Sequence, residues 1–167
     1  MDIDSLTQLG MSLSKPDVQG AEKLRLTCSA IADSIPHADR VSLWEFFDSK
    51  TAIRCIALLT KEGFSVPNEL ILRESDFPEY FAAILKEDTV CASNARSDPR
   101  TQCFNQGYFE PNDIHSLLDY IFSREFVQYG IICCESVNRQ VEWSDNDIEN
   151  LKRAATVVSV YSYVEML

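Results

Sequence analysis

Glycine is scarce. The 167 residues hold five, at Gly10, Gly20, Gly63, Gly107 and Gly130, each far from the next. A phosphate-cradling loop needs clustered glycines so that backbone N–H groups can close on the anion, so P-loop and dinucleotide-binding chemistry are excluded. With only two histidines, His37 and His115, the chain cannot write an H-E-x-x-H metalloprotease helix. Nor do the cysteines show the paired C-x-x-C spacing of a structural zinc site. Positive charge is in deficit: 15 Lys and Arg against 26 Asp and Glu give a formal charge of -11. Such a field repels phosphate backbones and anionic head groups, so neither nucleic acid nor membrane is an expected partner. No apolar run approaches the roughly 20 residues of a membrane span. The opening MDIDSLTQLG lacks the cationic and apolar segments of a secretion signal, and the expected location is cytoplasmic. Thiols stay reduced there. Cys28, Cys55, Cys91, Cys103, Cys133 and Cys134 are therefore expected to be small buried hydrophobes, with no metal and no cofactor.

What is present is an ordinary globular balance, 46% hydrophobic and 25% charged, enough for one domain with its own core. Residues 1–16 are polar and mixed and predict a flexible lead-in, with the domain over 17–167. From Asp17, Val18, Ala21, Leu24, Cys28, Ile31 and Ile35 recur at three- and four-residue intervals, an amphipathic helix closed by Pro36. VSLWEFF (Val41 to Phe47) and AIRCIALL (Ala52 to Leu59) read as a hairpin about DSKT, followed by a short strand near Glu69 to Leu72. SDFPEYFAAILKED predicts a helix, TVCA a brief strand, and SNARSDPRTQCFNQGYFEPNDIH a long polar loop with room for short helices. SLLDYIF and FVQYGIICCESV form a second hairpin turning around Ser123 to Glu125. The last helix opens on a Ser144 and Asp147 capping pair. Ile148, Leu151, Ala155, Val158 and Ser162 then carry it to Leu167 without a stop signal. Hairpins with terminal helices give an α+β fold: a central antiparallel sheet of five to six strands, the N- and C-terminal helices on one face and a pocket of loop and short helices on the other.

Five segments in register resemble the GAF sensor-domain family: ADRVSLWEF (Ala38 to Phe46), SNARSDPRT (Ser93 to Thr101), SLLD (Ser116 to Asp119), GIICCESV (Gly130 to Val137) and VEWSDNDIENLKRAA (Val141 to Ala155). The resemblance runs from about Asp17 to Tyr163. It implies a GAF/PAS-like fold and the subgroup found N-terminal to bacterial GGDEF diguanylate cyclases and histidine kinases. It further implies a non-catalytic regulatory module that binds a small-molecule ligand and/or mediates dimerisation to control a downstream output domain, a diguanylate cyclase before a histidine kinase. The sequence departs from the family in places. Ile121 and Phe126 stand where the subgroup often has proline and glycine, and Cys134 where histidine frequently precedes the strand glutamate. The N-K-x-F-D-E cyclic-nucleotide signature and the Cys-His pair of bilin carriers are missing, and no GGDEF or kinase motif occurs.

Trp44 and Phe46 alternate onto one strand face and are candidates for an aromatic ligand pocket, with core as the competing role. In the Asp98-Pro99-Arg100-Thr101 run, Arg100 has the fork to clamp a carboxylate or phosphate, or simply to pair with Asp98 in a turn. Asp98, Arg100 and Asp119 are expected near one rim of the pocket, with Cys134 as a further ligand contact. Cys91 and Cys103 flank the long loop and raise an alternative, a thiol-dependent GAF-type free methionine sulfoxide reductase, although that family's G-H-I-A-C-D segment is absent. The final helix and the first would leave an apolar flank for a parallel homodimer, with Ala154, Ala155 and Ser159 allowing close approach.

Overall fold

The structure, a computed structural model, describes residues 3–161. Its elements run α1 (Ser5–Leu13), α2 (Ala21–Ser34), β1 (Arg40–Phe47), β2 (Ala52–Thr60), β3 (Gly63–Ser65), β4 (Ile71–Arg73), α3 (Pro78–Glu87), β5 (Thr89–Ala92), α4 (Glu110–Asn112), β6 (Ile114–Arg124), β7 (Val127–Val137) and α5 (Asp145–Tyr161). A 3-10 turn (Gln102–Phe104) and a π-helical turn (Asn105–Phe109) lie between β5 and α4. The strands form one antiparallel sheet in the order β3-β2-β1-β7-β6-β5. It has seven strands rather than five or six, because β3 and β4 both pair with β2, β3 near its end and β4 near its start.

Both hairpins form where alternation placed them. Glu125 and Phe126 take positive φ (51° and 69°) at the tip of the β6–β7 hairpin, the backbone demanded by a tight two-residue turn although neither is glycine. Helix α5 begins on a reciprocal cap: the Ser144 Oγ accepts from the Asp147 N–H at 3.0 Å, and Asp147 accepts from the Ser144 N–H at 2.9 Å. The expected course of that helix through Ser162 to Leu167 lies outside the described residues.

Within the lead-in expected to be flexible, the described residues 3–16 hold a helix. Leu6, Leu9 and Leu13 follow three- and four-residue spacing and are buried, and Asp4 caps α1 by accepting from the Leu6 and Thr7 N–H groups. Helix α1 packs on α2 and α5, while Arg153 of α5 reaches back to Asp4. It thereby covers part of the apolar flank that the spacing had left for a second subunit. Ala154 and Ala155 are buried, and α5 packs on β6, where the Ser159 Oγ accepts from the Ser123 N–H. The small residues of α5 thus serve close packing within the chain.

The sheet separates two cores. On the helical face Val41, Leu43, Leu118, Ile132 and Cys134 pack against α1, α2 and α5. On the opposite face Trp44, Ile53, Leu117, Ile121, Ile131 and Cys133 meet α3 and the aromatic residues of the 3-10 and π-helical turns.

Candidate functional site

Strand alternation brings Arg40, Ser42 and Trp44 of β1, Leu117 and Asp119 of β6, and Cys133 and Glu135 of β7 onto the face away from the helical layer. Above them lies an aromatic cover. Phe104 stacks on Phe77 at 4.5 Å and meets Tyr80 and Tyr108 edge-on at 5.0 and 6.1 Å, with Phe109 tilted beside it. Between sheet and cover is a cavity of about 20 Å3, lined by Trp44, Tyr80, Phe104, Tyr108, Asp119 and Glu135 among others. That is room for about one water-sized group. A larger concavity, about 600 Å3, lies elsewhere, along α5 and the β6–β7 turn. It is the more open of the two, so the partly closed cavity with its buried acids is taken as the candidate site.

The acids are 2% (Asp119) and 0% (Glu135) exposed. Buried carboxyls persist only with partners. The Tyr80 hydroxyl donates to Asp119 Oδ2, tying α3 to β6. Arg40 Nε donates to Glu135 Oε1 at 3.1 Å, the Tyr108 hydroxyl donates to the same oxygen at 3.2 Å, and Arg40 Nη2 reaches the Tyr108 oxygen at 3.4 Å. Asp119 Oδ1 and Glu135 Oε2, in contrast, have no hydrogen-bond partner. The Cys133 thiol lies close to both carboxyls, but with one proton it can serve only one of them, and weakly.

Burial pushes the Asp119 carboxyl up to about 8, against the lowering bonds from Cys133 and Tyr80 and helped by the nearby Glu135 charge. Burial also raises Glu135, with Arg40 opposing. Arg40 itself loses hydration, yet Glu135 and Tyr108 hold it above the ordinary arginine value. The site therefore sets the Arg40–Glu135 pair beside an aspartic acid that holds its proton up to about 8.

The structure brings together some of the residues expected at the site. Trp44 and Asp119 line the cavity, the Trp44 indole N–H donating to Ser42 Oγ at 2.8 Å, while Phe46 packs at the edge of the same core. Cys134 faces the other way, buried against the helical layer, because strand alternation hands the cavity to Cys133 and Glu135. Asp98 and Arg100 do not line the cavity. Arg100 spends its fork on Asp98, at 2.9 and 2.7 Å, and on the Cys91 carbonyl at 2.9 Å. That arrangement is a self-contained turn. Arg40, Tyr80, Tyr108 and Glu135 were not singled out from sequence. The available signal was Glu135 itself, a lone acid within the apolar run GIICCESV that had to find a buried cation.

Burial raises the thiols of Cys91 and Cys103 as well; Arg100 opposes this at Cys91 without reversing it. A reactive thiolate requires the opposite shift. His115 pairs with Asp113 at 2.9 Å near the surface. Among the described residues no group of three or more His, Cys, Asp or Glu could hold a metal ion, and no helix is long and apolar enough to cross a membrane.

With this geometry the chain superposes on several solved structures. The GAF domain of an Acinetobacter phosphoenolpyruvate-protein phosphotransferase matches with a TM-score of 0.73 at 15% identity, over 98% of this chain and 94% of that one. The chain has the GAF-domain fold. The corresponding domain from Coxiella burnetii gives 0.71 at 16% identity, over 98% and 95%. A protein with bound biliverdin IXa in a far-red absorbing dark state gives 0.74 at 10% identity, over 98% and 99%. No protein-family model and no curated protein matches the sequence. These identities speak for a shared GAF scaffold, whose pocket chemistry is set by each chain's own residues.

Proposed function

We propose that this GAF domain is a non-catalytic sensory module of a bacterial signal-transduction protein, acting in the cytoplasm and taking its signal as a small molecule in the sheet-face cavity. One observation carries the reading. Two buried carboxyls line a small, partly closed cavity, and each keeps an oxygen without a partner. A native fold rarely leaves such groups orphaned unless something else satisfies them. The cover sets the size limit: nothing as large as a tetrapyrrole enters about 20 Å3 unless Phe104 and Tyr108 move aside. The raised thiols of Cys91 and Cys103 weigh against the methionine sulfoxide reductase alternative.

The same proposal includes a homodimer through the terminal helices that transmits the signal to an output module, a diguanylate cyclase first and a histidine kinase next. Ile3, Met11 and Val160, exposed around the helical layer, are the apolar side chains that such a dimer would cover. Native mass spectrometry of freshly purified protein tests the binding reading. A co-purifying mass of one molecule per chain, lost in Asp119→Asn, is expected; bare protein with an unfolding temperature indifferent to a metabolite panel overturns it. Light scattering at micromolar protein tests the dimer, and a monomer mass at every concentration removes it.

A further inference from the structure

We propose that the sheet-face cavity recognises a primary ammonium head group, held by Asp119 Oδ1 and Glu135 Oε2 within a box of Trp44, Tyr80, Phe104 and Tyr108. This rests on the reading of the cavity as the ligand site. Three observations select the chemistry. First, neither Asp119 Oδ1 nor Glu135 Oε2 has a hydrogen-bond partner, and once Asp119 gives up its proton both are acceptors, so the incoming group brings donors; an ammonium carries three N–H groups with no lone pair. Second, about 20 Å3 takes one water-sized group, which an –NH3+ head matches and a guanidinium or a trimethylammonium does not. Third, four of the lining side chains are aromatic, and their ring faces attract cations most strongly where water is excluded.

Charge balance agrees. Arg40 neutralises Glu135, which leaves Asp119 to supply the counter-charge. Asp119 is faced by Tyr80 from α3, by Cys133 and Glu135 from β7, and more remotely by Tyr108 and Arg40. The cation enters as the Asp119 proton leaves to solvent, an exchange in which the net charge of the pocket is unchanged. Whatever the nitrogen carries takes the place of Phe104 or Tyr108. Both sit on a 3-10 and π-helical stretch, which re-forms at less cost than regular α-helix.

Titration calorimetry of the full chain with methylammonium chloride, in amine-free buffers of different ionisation enthalpy below pH 8, is the test. Methylammonium is expected to bind with proton release, while tetramethylammonium and neutral methanol do not compete. Asp119→Asn is expected to weaken binding by at least about tenfold, the loss of a charge-assisted hydrogen bond. Should that variant not fold, selectivity among the three probes on the unaltered chain decides the matter alone. Equal response to all three, or none to methylammonium, overturns the proposal and leaves the cavity to a single water. If methylammonium fails while a neutral mass co-purifies in native spectra, the ammonium assignment falls and the sensory reading stands.

Discussion

The Tyr80 hydroxyl donates to the Asp119 carboxyl, joining helix α3 to strand β6 where neither residue reaches solvent. Because burial holds Asp119 at about 8 in the folded chain against 3.8 for a free side chain, folding binds a proton between those values. The folded state then holds more protons than the unfolded state, so the Asp119 contribution to stability falls as pH rises from about 4 to about 8, then levels off. Urea denaturation across that range is expected to show the decline, and Asp119→Asn is expected to flatten it. Tyr80→Phe removes the hydroxyl that donates to Oδ2 and is expected to cost about 1–3 kcal/mol.

Much of the scaffold was legible because its signals are local. Alternation in VSLWEFF and GIICCESV and the Ser144–Asp147 pair each specify an element without reference to distant residues. Helix α1 was readable too, since Asp4 precedes leucines at positions 6, 9 and 13, but the serines, threonine and glutamine among them masked the stripe. The π-helical turn over Asn105–Phe109 had no sequence mark, because its geometry depends on Phe104, Tyr108 and Phe109 packing against the sheet. The site was half legible. Trp44 and Asp119 stood out by residue type, whereas the Arg40–Glu135 pair follows from the β1–β7 register, which sets them side by side. Asp98 and Arg100 stood out as strongly and proved to satisfy each other.

Arg40 and Glu135 form the buried ion pair of the site, with side-chain exposures of 12% and 0%. Replacing Arg40 by Leu leaves a carboxylate without its cation in a closed core, an error that costs about 3–5 kcal/mol. The double variant Arg40→Leu, Glu135→Gln removes the stranded charge and is expected to recover a large part of that loss. Urea midpoints at unchanged slope measure both. Equal stability of the two variants would mean that Glu135 is neutral without Arg40.

The cysteines offer a chemical check. Cys28, Cys55, Cys133 and Cys134 are buried, and only Cys91 and Cys103 are partly accessible. Since burial raises the last two thiols, their thiolate fraction at neutral pH is below that of a free cysteine. Native alkylation is expected to modify these two slowly and the other four only after denaturation. A fast reaction at either would restore the reductase alternative.

Gly130 sits where β1, β6 and β7 close together, opposite Glu45 on one side and Phe122 on the other. A Cβ there would lie 2.1 Å from the Trp44 carbonyl oxygen and 2.3 Å from Phe122 Cζ. The first atom belongs to the backbone of the strand that presents Trp44 to the cavity, so it yields only if β1 shifts against β7. The ring of Phe122 is packed on the helical face and has little room to retreat. Overpacking of this kind costs about 1–3 kcal/mol when the surroundings adjust and more when backbone must move. Gly130→Ala is therefore expected to lower the unfolding midpoint by at least that much and to alter Trp44 fluorescence, because the strain falls on its own strand. A Trp143→Phe background isolates the Trp44 signal, and an unchanged spectrum with unchanged stability would show that β1 and β7 separate freely at this point.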